Sequence, residues 1–303
     1  MTEYARQIRE GNARALARTA TGIENRDPLA METLRDLAPF AGHAKIVGIT
    51  GPPGAGKSTL VDGLASALRR AGQTLAILAV DPTSGISGGA ILGDRIRMQQ
   101  HHADPGIFIR SMATRGNLGG LARATADLAK LMDAAGKDYV LIETVGVGQA
   151  EIEIANLAQV TVVVLMPGMG DDVQAIKAGI LEIADIFAIN KSDQPGADRV
   201  EQELEAMLSL SNGRKPAIVK TEATTGAGVD ELLDAIRSAP CRAVTVRERS
   251  IPLHVTALKD AIAHLQSAGA SIQPSADGHL LVAPPAGVLL ELIEEKKQPA
   301  AES

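Results

Sequence analysis

Residues 51–59 constrain the fold of this chain more than any other feature, because they match the pattern G-x-x-x-x-G-K-[ST] in full. They directly follow the apolar stretch Lys-Ile-Val-Gly-Ile-Thr and open a stretch with helical periodicity. In this order of strand, loop and helix, backbone amides turn towards phosphates, and the helix N-terminus adds partial positive charge. We therefore predict a nucleotide phosphate site in which Lys57 reaches the β- and γ-phosphates and the Ser58 hydroxyl ligates magnesium. Its members are Gly51, Pro52, Pro53, Gly54, Ala55, Gly56, Lys57, Ser58 and Thr59.

Short apolar runs alternate with helix-period stretches along most of the chain. The runs are continuous rather than alternating in polarity, which is typical of strands buried on both faces of a parallel sheet. This order predicts an α/β fold with a doubly wound, mostly parallel sheet, whose ligands bind at the carboxyl ends of the strands. The predicted strands are Lys45–Thr50, Thr74–Val80, Ile107–Ser111, Tyr139–Thr144, Val160–Met166, Asp185–Asn190 and Ala217–Thr221, and the predicted helices lie near 57–71, 119–135, 172–184, 198–210 and 228–238.

The tetrapeptide Asn190-Lys191-Ser192-Asp193 ends a predicted strand downstream of the phosphate loop. The Asp193 carboxylate can accept two hydrogen bonds, which suits N1–H and the exocyclic amine of guanine, whereas adenine offers no such pair of donors. Leaving a buried polar partner unpaired costs about 1–3 kcal/mol, which is enough to select GTP over ATP. Taken alone, the motif could also be a polar turn. The next strand is followed by Thr221, Glu222 and Ala223, and we expect a backbone amide of this segment to contact guanine O6.

Three acidic residues at or near strand ends indicate a magnesium site together with Ser58. Glu143 begins Glu-Thr-Val-Gly, in which Gly146 could donate its N–H to the γ-phosphate. Asp81 follows the strand 74–80, and Asp94 lies in a glycine-rich stretch. Magnesium uses one or two carboxylates besides phosphate oxygens and water, so the three need not all ligate at once. Asp81 could instead be a helix cap or turn residue, and Asp94 an ordinary loop residue.

These motifs divide the chain into three predicted parts. Residues 1–40 form a helical N-terminal extension of two helices, broken near residues 26–28, and residues 41–240 form a P-loop GTPase domain. Residues 241–303 form a small C-terminal extension that is a candidate for oligomerisation. There we predict a helix over 251–269, a short strand in His-Leu-Leu-Val-Ala, and a last helix over 287–297.

Composition excludes several classes of function. The chain has 30 Lys and Arg against 36 Asp and Glu and only 2% aromatic residues, which disfavours nucleic-acid binding. The single cysteine, Cys241, excludes an internal disulfide, and the neighbours His101 and His102 form a poor chelate, for which we predict a surface role. The N-terminus lacks the apolar stretch of a signal peptide, and no apolar run approaches the length of about 20 residues that spans a bilayer. We therefore expect a cytoplasmic protein without membrane or nucleic-acid partners.

A set of longer motifs resembles one known family. GPPGAGKST, AVDPTSGISGGAILGDRIRM, FIRSMATRGNLGGLA, ETVGVGQAE, MPGMGDDVQAIKAG and NKSD occur in this order within residues 4–240. Together they closely resemble the methylmalonyl-CoA mutase-associated GTPases of the MeaB/ArgK type, which include MMAA-like metallochaperone GTPases. The C-terminal residues depart from the resemblance, because the family usually ends in a helical arm that often serves dimerisation.

The resemblance implies a GTP-hydrolysing chaperone of an adenosylcobalamin-dependent acyl-CoA mutase, which gates cofactor loading and protects or reactivates the mutase. GTP or GDP and Mg²⁺ would be its cofactors, and cobalamin would belong to the mutase rather than bind here directly. The resemblance also implies a homodimer. By motif match, Asp81, Asp94 and Glu143 are metal-side acids, and Asp171 and Lys177 couple partner contact to hydrolysis.

The sequence shows no evident group that positions the attacking water. Many small GTPases place glutamine directly after the glycine of D-x-x-G, whereas Val147 stands here and Gln149 comes two residues later. We therefore expect hydrolysis to depend on a partner that orders 84–94 and 168–177, with Lys177 neutralising the developing phosphate charge. Three alternatives remain: a GTPase that delivers metal to another metalloenzyme, a P-loop kinase of a transport system, and a nucleotide-dependent scaffold without catalysis.

Overall fold

The computed structural model describes residues 1–81, 101, 103–113, 118–144, 155–168, 180–209 and 215–242, and beyond residue 250 it describes 251–255, 262, 271–274, 280–283 and 290–294. The chain divides into two compact units, Met1–Val246 and Arg247–Ser303. The division into three parts at residues 40 and 240 stays a prediction.

The first unit is built on a seven-stranded sheet in the order β3-β2-β4-β1-β5-β6-β7, and every neighbouring pair is parallel. The predicted doubly wound α/β fold is therefore confirmed. The strands are β1 Lys45–Thr50, β2 Leu75–Asp81, β3 Ile107–Ala113, β4 Tyr139–Thr144, β5 Val160–Leu165, β6 Ile186–Ile189 and β7 Ala217–Lys220.

The strand order reverses direction around β1. After β1 the chain builds β2, β3 and β4 on one side of that strand, and then it crosses to build β5, β6 and β7 on the other side. Loops that leave neighbouring strands in opposite directions open a crevice at the carboxyl edge of the sheet, where ligands of this fold class bind. The loop that follows β1 is the predicted phosphate loop.

Eight helices flank the sheet among the described residues. Helices α4 and α8 pack on one face, where Leu60, Leu64 and Leu68 of α4 are buried in one apolar cluster. Helices α1–α3 and α5 pack on the opposite face, and α7 covers β5 and β6. Each fully buried leucine contributes about 1.5–3 kcal/mol. The helices are α1 Glu3–Arg9, α2 Ala13–Glu24, α3 Pro28–Leu37, α4 Lys57–Arg70, α5 Leu118–Ala134, α6 Ile180–Ile183, α7 Ala197–Ser209 and α8 Val229–Ser238.

The N-terminal extension has three α-helices and a 3₁₀ turn at Ala38–Phe40, so the prediction of two helices is wrong. The additional break lies at Gly11, whose φ of +84° is readily adopted by glycine but ends a right-handed helix. Asn12 then caps α2, because its Oδ1 accepts hydrogen bonds from two backbone amides of the first turn. The break predicted near residues 26–28 is confirmed, with Asp27 capping α3. No helix in the described ranges combines the length and apolar character needed to cross a membrane.

The second unit contains a four-stranded sheet in the order β8-β11-β10-β9. The predicted helices over 251–269 and 287–297 are wrong at 251–255 and 290–294, because these residues form strands that pair in parallel. Pairing between distant segments overrides a local helical period here. The short strand predicted in His-Leu-Leu-Val-Ala is confirmed. The strands are β8 Ile251–Val255, β9 Ser271–Pro274, β10 Leu280–Ala283 and β11 Leu290–Glu294.

Candidate functional site

The predicted phosphate loop joins β1 to α4, and its glycines are required by close packing. Gly51 has φ +139°, and a Cβ atom there would lie 2.2 Å from the carbonyl oxygen of Val164. Gly56 has φ +90°, and a Cβ atom there would lie 2.3 Å from the side-chain nitrogen of Asn190. A side chain at either position would therefore displace the loop from the sheet edge.

Lys57 lies inside the loop at the first position of α4. Its side chain is buried, and Nζ donates hydrogen bonds to the carbonyl oxygens of Gly51 at 2.7 Å and Pro52 at 2.9 Å. The ammonium group is thereby held against the backbone of the loop. A phosphate in this cradle would meet a preplaced positive charge in addition to the N-terminal amides of α4.

Ser58 and Glu143 meet at the carboxyl edge of the two central strands. Ser58 Oγ donates to Glu143 Oε1 at 2.6 Å, and the glutamate is only 5% exposed. Glu143 lies beside Ile49 in the register of β4 on β1, which places its side chain next to the phosphate loop. A hydroxyl and a carboxylate are oxygen ligands that a hard cation prefers, so this pair fits magnesium.

Of the remaining predicted metal and catalytic residues, the structure places only Asp81. Asp81 is the last residue of β2, which pairs with β4 through Val80 and Thr144, so its backbone lies at the same sheet edge as Glu143. The other four lie outside the described residues: Gly146, Asp94, Asp171 and Lys177.

Asn190 connects the phosphate loop to the predicted guanine loops. Its Nδ2 donates to the carbonyl oxygen of Ala55 at 2.8 Å, and its Oδ1 accepts from Thr221 Oγ1 at 3.2 Å and from the Ala223 backbone amide at 3.0 Å. The side chain is 2% exposed. One buried amide therefore holds together segments that follow β1, β6 and β7.

The turn after Asn190 presents Asp193 to solvent. Lys191 has φ +57°, and its Nζ lies 3.5 Å from Met166 Sδ beside the phosphate loop. The Ser192 amide donates to the Thr221 carbonyl at 3.1 Å, which fixes this turn against the loop after β7. Asp193 is exposed at the same edge, where a purine could reach its carboxylate.

The amides of the predicted O6 contact are all engaged within the protein. Thr221 donates to Ile189, Glu222 donates to Ala227, and Ala223 donates to Asn190 Oδ1. A contact between Ala223 and guanine O6 would therefore require this amide to share or exchange its acceptor. The predicted contact stays a prediction.

An ion-pair cluster stabilises the strand that leads into this loop. Lys220 Nζ lies 2.8 Å from Asp198 Oδ1 and 2.6 Å from Glu201 Oε2 on α7. Hydrogen bonding to Asp198, and then to Glu201, raises the pKa of Lys220, and the same ammonium lowers the pKa of Asp198. The cluster therefore ties the end of β7 to α7.

Sequence reasoning missed two contacts around the site. Thr144 Oγ1 and Thr50 Oγ1 lie 3.0 Å apart across the ends of β4 and β1. His101, for which we predicted a surface role, is buried and lies against Asp62, so that prediction is wrong for this residue. Its neighbour His102 lies outside the described residues. The signal for His101 was weak, because its contact with Asp62 on α4 joins residues that are far apart in the sequence.

Comparison with known proteins decides the family. A family model described as methylmalonyl Co-A mutase-associated GTPase MeaB matches residues 16–269. The chain belongs to this family. It is a GTPase that binds guanine nucleotides, in agreement with the resemblance drawn from its motifs.

Relatives of this MeaB family member support the same assignment. A predicted GTPase of Pyrococcus abyssi is 53% identical over 241 residues, covering 78% of this chain and 74% of the relative. GTPase ArgK of Escherichia coli is 36% identical over 247 residues, covering 78% and 75%. A crystal structure described as LAO/AO transport system kinase superposes with a TM-score of 0.63 at 32% identity, covering 78% of this chain and 73% of that one.

Proposed function

We propose that this MeaB family member is a GTP-hydrolysing chaperone of an adenosylcobalamin-dependent acyl-CoA mutase of the methylmalonyl-CoA mutase type. It would gate cofactor loading and protect or reactivate the mutase. The observation that carries the proposal is the match of residues 16–269 to a family described as mutase-associated. The joining of phosphate and guanine loops by Asn190 supports the nucleotide switch that such a role requires.

Nucleotide recognition would use both ends of the crevice at the carboxyl edge of the seven-stranded sheet. The loop amides and the Lys57 ammonium would hold the phosphates, since Lys57 Nζ already lies against the carbonyl oxygens of Gly51 and Pro52. The exposed Asp193 carboxylate would accept from N1–H and the exocyclic amine of guanine. Asn190 would keep the two subsites at a fixed separation, because its amide bonds to both.

Magnesium would be held by Ser58 with Glu143, Asp81 and Asp94 as metal-side acids. Bound there, the ion would neutralise charge that builds up on the β- and γ-phosphate oxygens. The hydrogen bond between Ser58 and Glu143 holds the hydroxyl against the carboxylate near the end of β4. Glu143 therefore positions Ser58 as well as offering a carboxylate.

Hydrolysis would depend on the partner, since Val147 occupies the position at which many small GTPases carry a water-positioning glutamine. We propose that contact with the mutase brings Asp171 and Lys177 to the γ-phosphate, where Lys177 would neutralise developing charge. We also propose that the chain acts as a cytoplasmic homodimer that binds no cobalamin itself. Light scattering tests the homodimer, and equilibrium dialysis with adenosylcobalamin tests whether the chain binds cobalamin.

The deciding experiment measures GTP turnover of the full chain alone and with a panel of purified cobalamin-dependent acyl-CoA mutases. We expect one mutase to raise kcat by about 10-fold or more, and Lys177→Ala to abolish that rise. Lys215→Ala, which removes an exposed lysine after α7, is the matched control and should leave the stimulation intact. Turnover that no mutase changes would contradict the proposal.

The same assay separates the alternatives. A transport-system kinase would transfer phosphate from ATP to a protein, and ADP would compete with GDP for the site. A metal-delivery GTPase would bind GDP tightly but respond to an apo-metalloenzyme rather than to a mutase. A scaffold without catalysis would bind GTP and release no phosphate.

A further inference from the structure

A cavity of about 200 Å³ lies between the N-terminal extension and the turn that leads from α5 into β4. Lys137 and Asp138 precede β4, and His43 precedes β1, so the cavity lies at the amino edge of these two parallel strands. The phosphate loop follows the other end of β1, and a strand of six residues spans about 20 Å. The cavity is therefore separate from the nucleotide crevice. Its lining includes Arg9, Phe40, His43, Asp133, Lys137 and Asp138.

The two carboxylates of the lining are already engaged by donors of the protein itself. The Asp133 carboxylate accepts hydrogen bonds from the three successive backbone amides of residues 42–44. Asp138 Oδ2 accepts from the Thr74 amide at 2.7 Å and from the Thr74 hydroxyl at 2.8 Å. Hydrogen bonds of this kind are charge-assisted, so they offset part of the negative charge at the wall of the cavity.

The two cationic side chains of the lining bond only to neutral groups in the part of the chain that the structure describes. The Arg9 guanidinium lies over the Phe40 ring, 4.4 Å from its centroid, and donates to the Ala134 carbonyl oxygen at 3.1 Å. Lys137 Nζ donates to the Gly106 carbonyl oxygen at 3.1 Å. A guanidinium carries five N–H donors and an ammonium carries three, so both groups retain donors beyond these bonds.

The positive charge of Lys137 is incompletely compensated within the protein. Burial, and then the positive charge of Arg69, lowers the pKa of Lys137, although the Asp104 and Asp138 carboxylates act in the opposite direction. An opposite charge beside an ammonium favours its charged form. An anion that entered the cavity would therefore relieve part of the penalty of burying Lys137.

We propose that this cavity binds the phosphate or carboxylate group of a small oxyanion, held by Arg9 and Lys137. The planar guanidinium suits two oxygens of such a group, and the ammonium adds a second charge-assisted donor. Pockets for drug-sized ligands have volumes of about 300–1,000 Å³, so this smaller cavity suits a single oxyanion group rather than a nucleotide. The inference does not depend on the proposed mutase role.

The test titrates inorganic phosphate and, separately, acetate into the full chain loaded with GDP and Mg²⁺, so that nucleotide fills the phosphate loop. Isothermal titration calorimetry at constant ionic strength should show saturable binding with a Kd on the order of 1 mM. Lys137→Met and Arg9→Met should each raise that Kd about 10-fold or more, because each removes a charge-assisted hydrogen bond. Binding of both anions supports the shared chemistry, whereas binding of one alone assigns the site to phosphates or to carboxylates.

Lys130→Met, which removes an exposed lysine from α5, is the matched control and should keep the wild-type Kd. Lys137→Arg restores a charged donor and should retain most of the affinity, which keeps the proposal testable if Lys137→Met does not fold. The proposal would be overturned if neither anion bound saturably or if Lys130→Met weakened binding as much as Lys137→Met. Unchanged affinity in both Arg9→Met and Lys137→Met would also overturn it, because the anion would then lie elsewhere.

Discussion

The side-chain amide of Asn190 donates a hydrogen bond to the carbonyl oxygen of Ala55 at 2.8 Å, across 135 residues of sequence. The motif that contains Asn190 is usually interpreted through its aspartate, which reads the purine. In this chain the asparagine connects the phosphate loop to both guanine loops. A change that displaces one of these loops should therefore also alter nucleotide binding at the other.

Asn190→Asp tests this connection, because aspartate retains the acceptor for Thr221 and Ala223 but cannot donate to Ala55. We expect GDP affinity to fall about 10-fold, the effect of leaving a buried polar group unsatisfied. Competition with a fluorescent GDP analogue measures this affinity. Ser209→Ala, which removes a hydroxyl that donates to the Ala206 carbonyl oxygen within α7, is the control and should leave affinity unchanged. Equal affinity of Asn190→Asp and wild type would show that the bond to Ala55 contributes nothing to binding.

Asp193→Asn should weaken GDP binding by about 10-fold or more, because the amide offers one acceptor and one donor where the carboxylate offered two acceptors. Xanthosine diphosphate carries a carbonyl in place of the exocyclic amine, so its affinity should rise relative to GDP. Isothermal titration calorimetry with both nucleotides gives the ratio of their dissociation constants. Asp198→Asn removes an exposed carboxylate near the same edge without changing the purine contact, and it should preserve the preference of the wild type. If both variants prefer GDP equally, Asp193 does not select the purine.

Glu143→Gln should lower the GTP turnover number by about 10²-fold, since charge stabilisation in phosphoryl transfer depends on the metal that this carboxylate is expected to help hold. The amide keeps the size of the side chain, so folding should be little affected. Magnesium should also lose most of its ability to slow GDP release, which stopped-flow fluorescence detects. Thr144→Val, which removes the neighbouring hydroxyl bond to Thr50, should keep the magnesium response. A full magnesium response in Glu143→Gln would exclude the residue from the metal site.

The contact between Asp104 and Arg69 makes stability depend on pH in the acidic range. The hydrogen bond from Arg69, and then that from the Gly106 amide, lowers the pKa of Asp104. A folded pKa below the unfolded value of about 3.9 means that the ionised carboxylate stabilises the fold above that pH. The contribution is lost as pH falls through the lower folded pKa. Urea unfolding of wild type and Asp104→Asn should therefore show a difference in midpoint at pH 7 that shrinks below pH 4; a constant difference would contradict the assignment.

Local signals determined the sheet and the phosphate loop. The strands of the first unit were recognisable because residues such as Val162 and Val163 are buried on both faces, so the sequence shows continuous apolar runs. The phosphate loop was recognisable because only glycine tolerates the conformation of Gly51 and Gly56 against β5 and Asn190. In both cases the constraint acts on neighbouring residues, so it leaves a pattern that a single sequence shows.

Only the tertiary structure shows three further features. They are the strands of the second unit, the hydrogen bonds by which Asn190 joins three loops, and the burial of His101. Ile251–Val255 and Leu290–Glu294 pair across 35 or more residues, whereas the sequence alone led us to predict a helix for each segment. His101 is polar and precedes another histidine, which indicates exposure until α4 presents Asp62 to it. Each of these features depends on which distant groups meet, and the free energy of that contact outweighs the local preference of the residues involved.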